Sequence, residues 1–86
     1  MTKGEYRVGI NFNPSNDDLV GQIKRAAADL IDLVETIPFP DFAPDEEIDG
    51  TWINEIGRLK ALAQTDVETA AMHAVKAATK PAPSAP

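Results

Sequence analysis

The sequence predicts an all-α fold: an antiparallel helical hairpin with an extended N-terminal arm or short helix, assembled as a homo-oligomeric bundle. Three observations carry that expectation. Apolar residues recur at alternating spacings of three and four from Val20 to Ile37, the period of a helix face that packs on another helix. A second run, Arg58 to Pro81, reads RLKALAQTDVETAAMHAVKAATKP and places seven alanines on a helical, weakly charged segment. Between the two lies PFPDFAPDEEIDG, whose three prolines and closing glycine make a connector. Alanine has the highest helix propensity but buries little area, so such a stripe is stable only where another backbone comes close. The chain therefore reads first as an assembly module.

Along the chain, residues 5–14 form the arm. Tyr6, Val8, Ile10 and Phe12 alternate with Arg7, Gly9, Asn11 and Asn13, the period of an extended segment lying over helices or over a neighbouring subunit. Pro14 and Ser15 end it. Ser15 to Asp18 then supply a hydroxyl N-cap followed by carboxylates that favour the first turn of a helix. The first long helix is expected over residues 17–37, with Val20, Ile23, Ala27, Leu30, Val34 and Ile37 as its seam. Leu19, Ile31 and Leu33 widen that stripe, so more than one neighbour is expected. Pro38 and Pro40 stop the helix, because proline lacks a backbone donor and biases the preceding residue away from helical angles.

The acidic, proline-rich loop occupies residues 38–50, and Phe39, Phe42 and Ile48 are expected to pin it to the bundle. A second long helix follows over residues 51–79. Ile56, Val67 and Ala78 recur at a spacing of eleven, as do Leu59 with Ala70 and Ala63 with Ala74, a period that favours nearly straight packing. Thr65 to Glu68 has the pattern of a capping box and marks a local kink. Residues 1–80 make one domain, and the tail 81–86, rich in proline and small residues, is expected to be disordered.

With 86 residues and no cysteine, the chain buries only roughly 60% of its unfolded surface. No disulfide can staple it, and one histidine makes a structural zinc site a poor fit. Oligomerisation is the stabiliser that remains. The N-terminus lacks the layout of a signal peptide, and no apolar run reaches the roughly 20 residues that cross a bilayer. A soluble, intracellular protein with no membrane partner is expected. A net charge of −6 argues against a grip on long nucleic acid, which takes a broad basic field. The charge is uneven, however: residues 38–55 hold six acidic groups and no basic one, while residues 56–86 hold four basic against two acidic. A small anion can find a locally positive pocket.

No catalytic constellation is present: there is no Cys, no Ser/His/Asp grouping and no glycine-rich phosphate loop. Neither an enzyme, a metal site nor a cofactor is expected. The remaining polar groups suit a planar anion. Phe12 either anchors the arm or stacks on a base, and Asn13 offers a donor and an acceptor to a base edge. Lys24 and Arg25 on the first helix, and Arg58, Lys60 and Lys76 on the second, reach toward phosphates or simply solvate their helices. His73, among alanines, is an interface residue or a ligand contact.

The wording of two blocks narrows the choice. FNPSNDDLVGQIKRAAADLIDL, from Phe12 to Leu33, followed after a variable loop by the alanine-rich run, resembles the hairpin domain of phage anti-CBASS and anti-Thoeris cyclic-nucleotide sponges. The FNPS opening, the LID of the first helix and the E-x-A-A-M-x-A-V-K of the second carry the likeness, over roughly residues 6–81. The resemblance implies a homo-oligomer, commonly a hexamer, that binds cyclic dinucleotides, and in some members cyclic trinucleotides, without cleaving them. It places the protein in the cytoplasm of an infected bacterium, where sequestration starves an immune effector of its signal. Phe12 takes the place of the stacking aromatic and Lys24 that of the phosphate-binding lysine. Arg58, Thr65 and Lys76 match polar positions of the second helix. Taken together with the reading of the residues, the candidate set for the ligand is Arg7, Phe12, Asn13, Pro14, Lys24, Arg25, Arg58, Thr65 and Lys76. The alternative is a helical oligomerisation or regulatory module that binds another protein.

Overall fold

Thr2 and Glu5 decide how the chain begins. The Thr2 hydroxyl accepts from the Glu5 N–H while the Glu5 carboxylate accepts from the Thr2 N–H at 2.8 Å, a reciprocal cap that starts a helix. Gly9, at φ 63° and ψ 56°, ends it in the left-handed conformation that glycine adopts without strain. In this computed structural model, which describes residues 1–40 and 50–84, three helices follow in order: α1 (Lys3–Val8), α2 (Asp18–Glu35) and α3 (Gly50–Ala78). No strand occurs among the described residues. Of the two forms expected for the N-terminal segment, the short helix is the one present. The alternation from Tyr6 to Phe12 therefore does not describe an extended arm, because the Thr2–Glu5 cap and the Gly9 stop outweigh it.

α2 begins on a different cap from the one read in the sequence. Asp17 is the N-cap, its carboxylate accepting from the Leu19 N–H at 2.9 Å. The Ser15 hydroxyl instead donates to Asn13 Oδ1 at 3.2 Å. Asn13 also receives the Asp17 N–H and donates to the Asp17 carbonyl, which folds residues 13–17 into a closed turn and carries the cap two residues further on.

α2 and α3 run antiparallel. Lys60 of α3 donates to the Ile37 carbonyl at 2.5 Å, and Gln64 Nε2 donates to the Ile31 carbonyl at 3.2 Å. At 1.5 Å per residue α3 spans about 43 Å and α2 about 27 Å, so α3 overhangs its partner. The short α1 lies along both, antiparallel to α2. Lys3 reaches Glu35 and Gln64, the Gly4 N–H donates to Asp32, Glu5 pairs with Arg25, and Arg7 pairs with Glu68.

The core is small. Val20, Ala28, Ile31 and Ala71 are its buried apolar side chains among the described residues, and Lys24 and Gln64 are buried with them. Gln64 is fully employed, bonded to Lys3, Ile31 and Glu35, so its burial leaves no polar group unpaired. The buried face of α2 is thus Val20, Lys24, Ala28 and Ile31, rotated from the seam read from spacing. Ile23, Ala27 and Val34 are half-buried, whereas Leu30 and Ile37 of that seam are each 46% exposed. The rotation follows from Lys24 and Ala28: a lysine supplied with carbonyl partners packs inward, and an alanine lets α1 approach.

Phe39 lies against Gly57 and under the Lys60 ammonium, 4.8 Å from its ring centroid. Phe42, Ile48 and most of the acidic loop lie outside the described residues. α3 runs unbroken through Thr65 to Glu68; these residues serve Arg7 rather than capping a helix. Residues 81–84 carry no regular structure.

Candidate anion-binding cleft

One cleft collects side chains from all three helices. It lies between α1, the N-terminal half of α2 and the C-terminal half of α3, with a volume of about 430 Å³, within the range of ligand pockets. Its walls are apolar: Val8, Ala71, Met72 and Val75. Its charges are Arg7, Lys24 and Lys76 against one carboxylate, Glu68. The helical repeat puts Glu68, Met72, Val75 and Lys76 on one face of α3, with Thr79 just past its end, and α1 delivers Arg7 two residues before Gly9 stops it. Three cations from three helices thus converge in a chain of net charge −6.

Each cation is held differently. Arg7 donates to Glu68 at 3.0 Å and to the Thr65 hydroxyl at 3.3 Å, which draws Thr65 to the edge of the site. Lys24 is buried, with its ammonium donating to the Gly9 carbonyl at 2.9 Å and to the Phe12 carbonyl. The same ammonium sits 5.4 Å from the Phe12 ring centroid, close enough for a cation–π contact. Phe12 itself is 72% exposed, so it offers its ring to solvent rather than anchoring the segment. Lys76 is exposed and makes no ion pair among the described residues.

The other residues read from the sequence as ligand contacts lie elsewhere. Asn13 spends its amide on the turn to Asp17, and Pro14 is exposed beside it. Arg25 points away, bonded to Glu5 at 2.9 Å and Asp29 at 2.8 Å, and those hydrogen bonds raise its pKa further. Arg58 is paired with Glu55 one turn back on α3, which likewise raises the guanidinium and lowers the carboxylate. Lys60 closes the C-terminus of α2. His73 is exposed and does not line the cleft. Sequence reasoning missed Glu68, Met72, Val75 and Thr79. Their spacing marks one helix face, but nothing in the sequence says that Arg7 crosses that face.

This geometry defines a helical-hairpin protein with a cleft lined by Arg7, Lys24 and Lys76. Residues 5–79 match the profile of the Acb2/Tad1 hairpin domain, and the chain belongs to that family of anti-CBASS and anti-Thoeris cyclic-nucleotide sponges. Its members sequester their ligands rather than act as enzymes. Searches of curated proteins and of solved structures give no match. No helix among the described residues is long and apolar enough to cross a membrane.

Proposed function

We propose that this protein is a phage anti-immune sponge. It binds cyclic dinucleotides, and cyclic trinucleotides of the same chemistry, in the host cytoplasm and holds them uncleaved, so that CBASS-type effectors are not activated. The observation that carries the reading is the convergence of Arg7, Lys24 and Lys76, the last without an ion pair among the described residues, on one apolar-walled cleft beside an exposed Phe12. Cationic groups suit the phosphates of the ring and the aromatic face suits a base. Binding without cleavage follows the family, whose members sequester rather than cleave. The Thr79 hydroxyl donates to the Val75 carbonyl at 2.8 Å, and Glu68 is engaged by Arg7.

Self-association as a homo-oligomer, a hexamer as is common in the family, supplies what one chain lacks. Leu19, Leu30, Leu33 and Ile37 of the α2 side and Trp52, Leu59 and Leu62 of α3 are between 43% and 65% exposed, apolar surface that calls for a covering partner. Repetition by symmetry also presents Phe12 and Lys76 more than once, matching a ligand that repeats its bases and phosphates.

The reading is tested by thermal melting against cyclic di-adenylate, cyclic di-guanylate, the mixed cyclic guanylate–adenylate and a cyclic tri-adenylate. A ligand bound only by the folded state raises the melting temperature by mass action. At least one should do so and be recovered intact. A melting temperature indifferent to all of them, or recovery of linear product, contradicts the proposal.

A further inference from the structure

α1 lies against α2 and α3 without an apolar anchor. Its one buried residue is Gly4, which has no side chain to pack, while Tyr6 is 77% exposed and Val8 half-buried. The buried apolar side chains among the described residues all belong to α2 and α3. Charge holds α1 instead. Each of its three charged side chains meets an opposite charge on a long helix: Lys3 on Glu35 at 2.8 Å, Glu5 on Arg25 at 2.9 Å and Arg7 on Glu68 at 3.0 Å. The Gly4 N–H adds a fourth contact to a charged group, donating to the Asp32 carboxylate at 2.7 Å. The ion pairs are only partly covered, and in the first of them the two side chains are 46% and 52% exposed. Such pairs are weak singly and are screened by salt. A segment held this way lies at the low end of local stability, below the helices that share the apolar core.

We infer that α1 is a strap latched by charge. It lifts from the α2–α3 hairpin as a unit of its own, and the ionic strength sets how often it does so. The pivot is Gly9, whose φ of 63° already turns the chain out of the helix. Arg7 and Val8 line the cleft, so lifting α1 removes one of its walls. The hairpin answers salt in the opposite sense. A chain of net charge −6 repels itself, and screening that repulsion steadies the hairpin while it loosens the strap.

Amide hydrogen exchange of the full chain, followed residue by residue by NMR and without any ligand, tests this. Sodium chloride is raised from about 0.02 M to about 0.5 M, which shortens the Debye length from about 20 Å to about 4 Å. Six residues released from their neighbours are too few to stay helical. The Tyr6, Gly9 and Ile10 N–H groups, bonded to the Thr2, Tyr6 and Glu5 carbonyls, therefore report the opening. They should exchange about tenfold faster in high salt as the three pairs are screened, while the Ile31 and Ala71 N–H groups hold steady or slow. Amides of α1 that exchange no faster than that of Ile31, or an opening indifferent to salt, overturn the strap. Charge reversal then tests the latch at its far end from the cleft. Lys3→Glu and Glu35→Lys should each speed exchange in α1 about tenfold, and the two together should return it to within about threefold of the parent, since residues in contact couple. Unchanged protection at Ile31 shows that the hairpin is intact in each. A double variant that opens as readily as the single ones counts against the latch. Gly4→Ala lifts α1 by steric force, its Cβ meeting the Ala28 carbonyl oxygen, and should speed the same amides already at low salt. Unchanged exchange in that variant also contradicts the inference.

Discussion

Gly4 marks the closest approach of α1 to α2. A Cβ there would lie 2.1 Å from the Ala28 carbonyl oxygen and 2.8 Å from Asp32 Oδ1, and backbone on one side cannot step aside cheaply. Gly4→Ala gains helix propensity, up to about 1 kcal/mol, but the overpacking costs about 1–3 kcal/mol. Net destabilisation is expected, read as a lower urea midpoint. Glu5 offers a second test through pH. The Thr2 backbone N–H first, and then Arg25, lowers its carboxyl from an ordinary 4.5 to about 2. A carboxyl depressed in the folded state stabilises the fold above pH 4.5, and that contribution is lost as pH falls through about 2. Glu5→Gln should accordingly lower stability at pH 6 and narrow its difference from the parent at pH 2, measured by urea melts at both. A gap that widens on acidification contradicts the assignment.

At the scale of elements, the hairpin rests on very little buried volume. Ile31 is the one large side chain that is fully buried among the described residues. Truncation to alanine removes transfer energy and leaves a cavity, together costing about 2–5 kcal/mol. Ile31→Ala should therefore lose most of its cooperative unfolding transition, whereas Leu33→Ala, 65% exposed in the single chain, should affect it far less when the protein is dilute. Both long helices were legible because each carries a strong period and the prolines after Ile37 punctuate them. α1 was harder to read: six residues are too few for a periodic signal, and the alternation of Tyr6, Val8, Ile10 and Phe12 imitates a strand. The buried face of α2 was misjudged at Lys24, since a lysine turns inward only when a remote turn supplies acceptors. Within the cleft, Lys24 and Lys76 could be named from the resemblance and Arg7 as a further candidate, but that they meet depends on where α1 crosses α3. Asn13, Arg25 and Arg58 show the converse: their chemistry suits a nucleotide, but near neighbours claim it first.

As a whole molecule the chain is extended, with a radius of gyration of 18.0 Å and principal extents of 70 × 28 × 13 Å. A compact domain of this length has a radius of about 12 Å. A layer one helix thick has two faces, and exposed leucines, Ile37 and Trp52 leave much of its apolar surface uncovered. Leu33→Asp should lower the mass found by light scattering while far-ultraviolet circular dichroism of the hairpin persists. A parent that is monomeric at micromolar concentration contradicts the assembly proposed above. The central claim is that the cleft holds a cyclic nucleotide through its cations and leaves the ligand whole. Calorimetric titration of the parent and of Lys76→Glu with the same cyclic dinucleotide, followed by mass analysis of the recovered ligand, addresses it most directly. The account predicts saturable binding by the parent, at least tenfold weaker binding by the variant at equal thermal stability, as loss of a charge-assisted contact entails, and unaltered ligand from both. Equal affinity in parent and variant, or cleaved ligand, would contradict it.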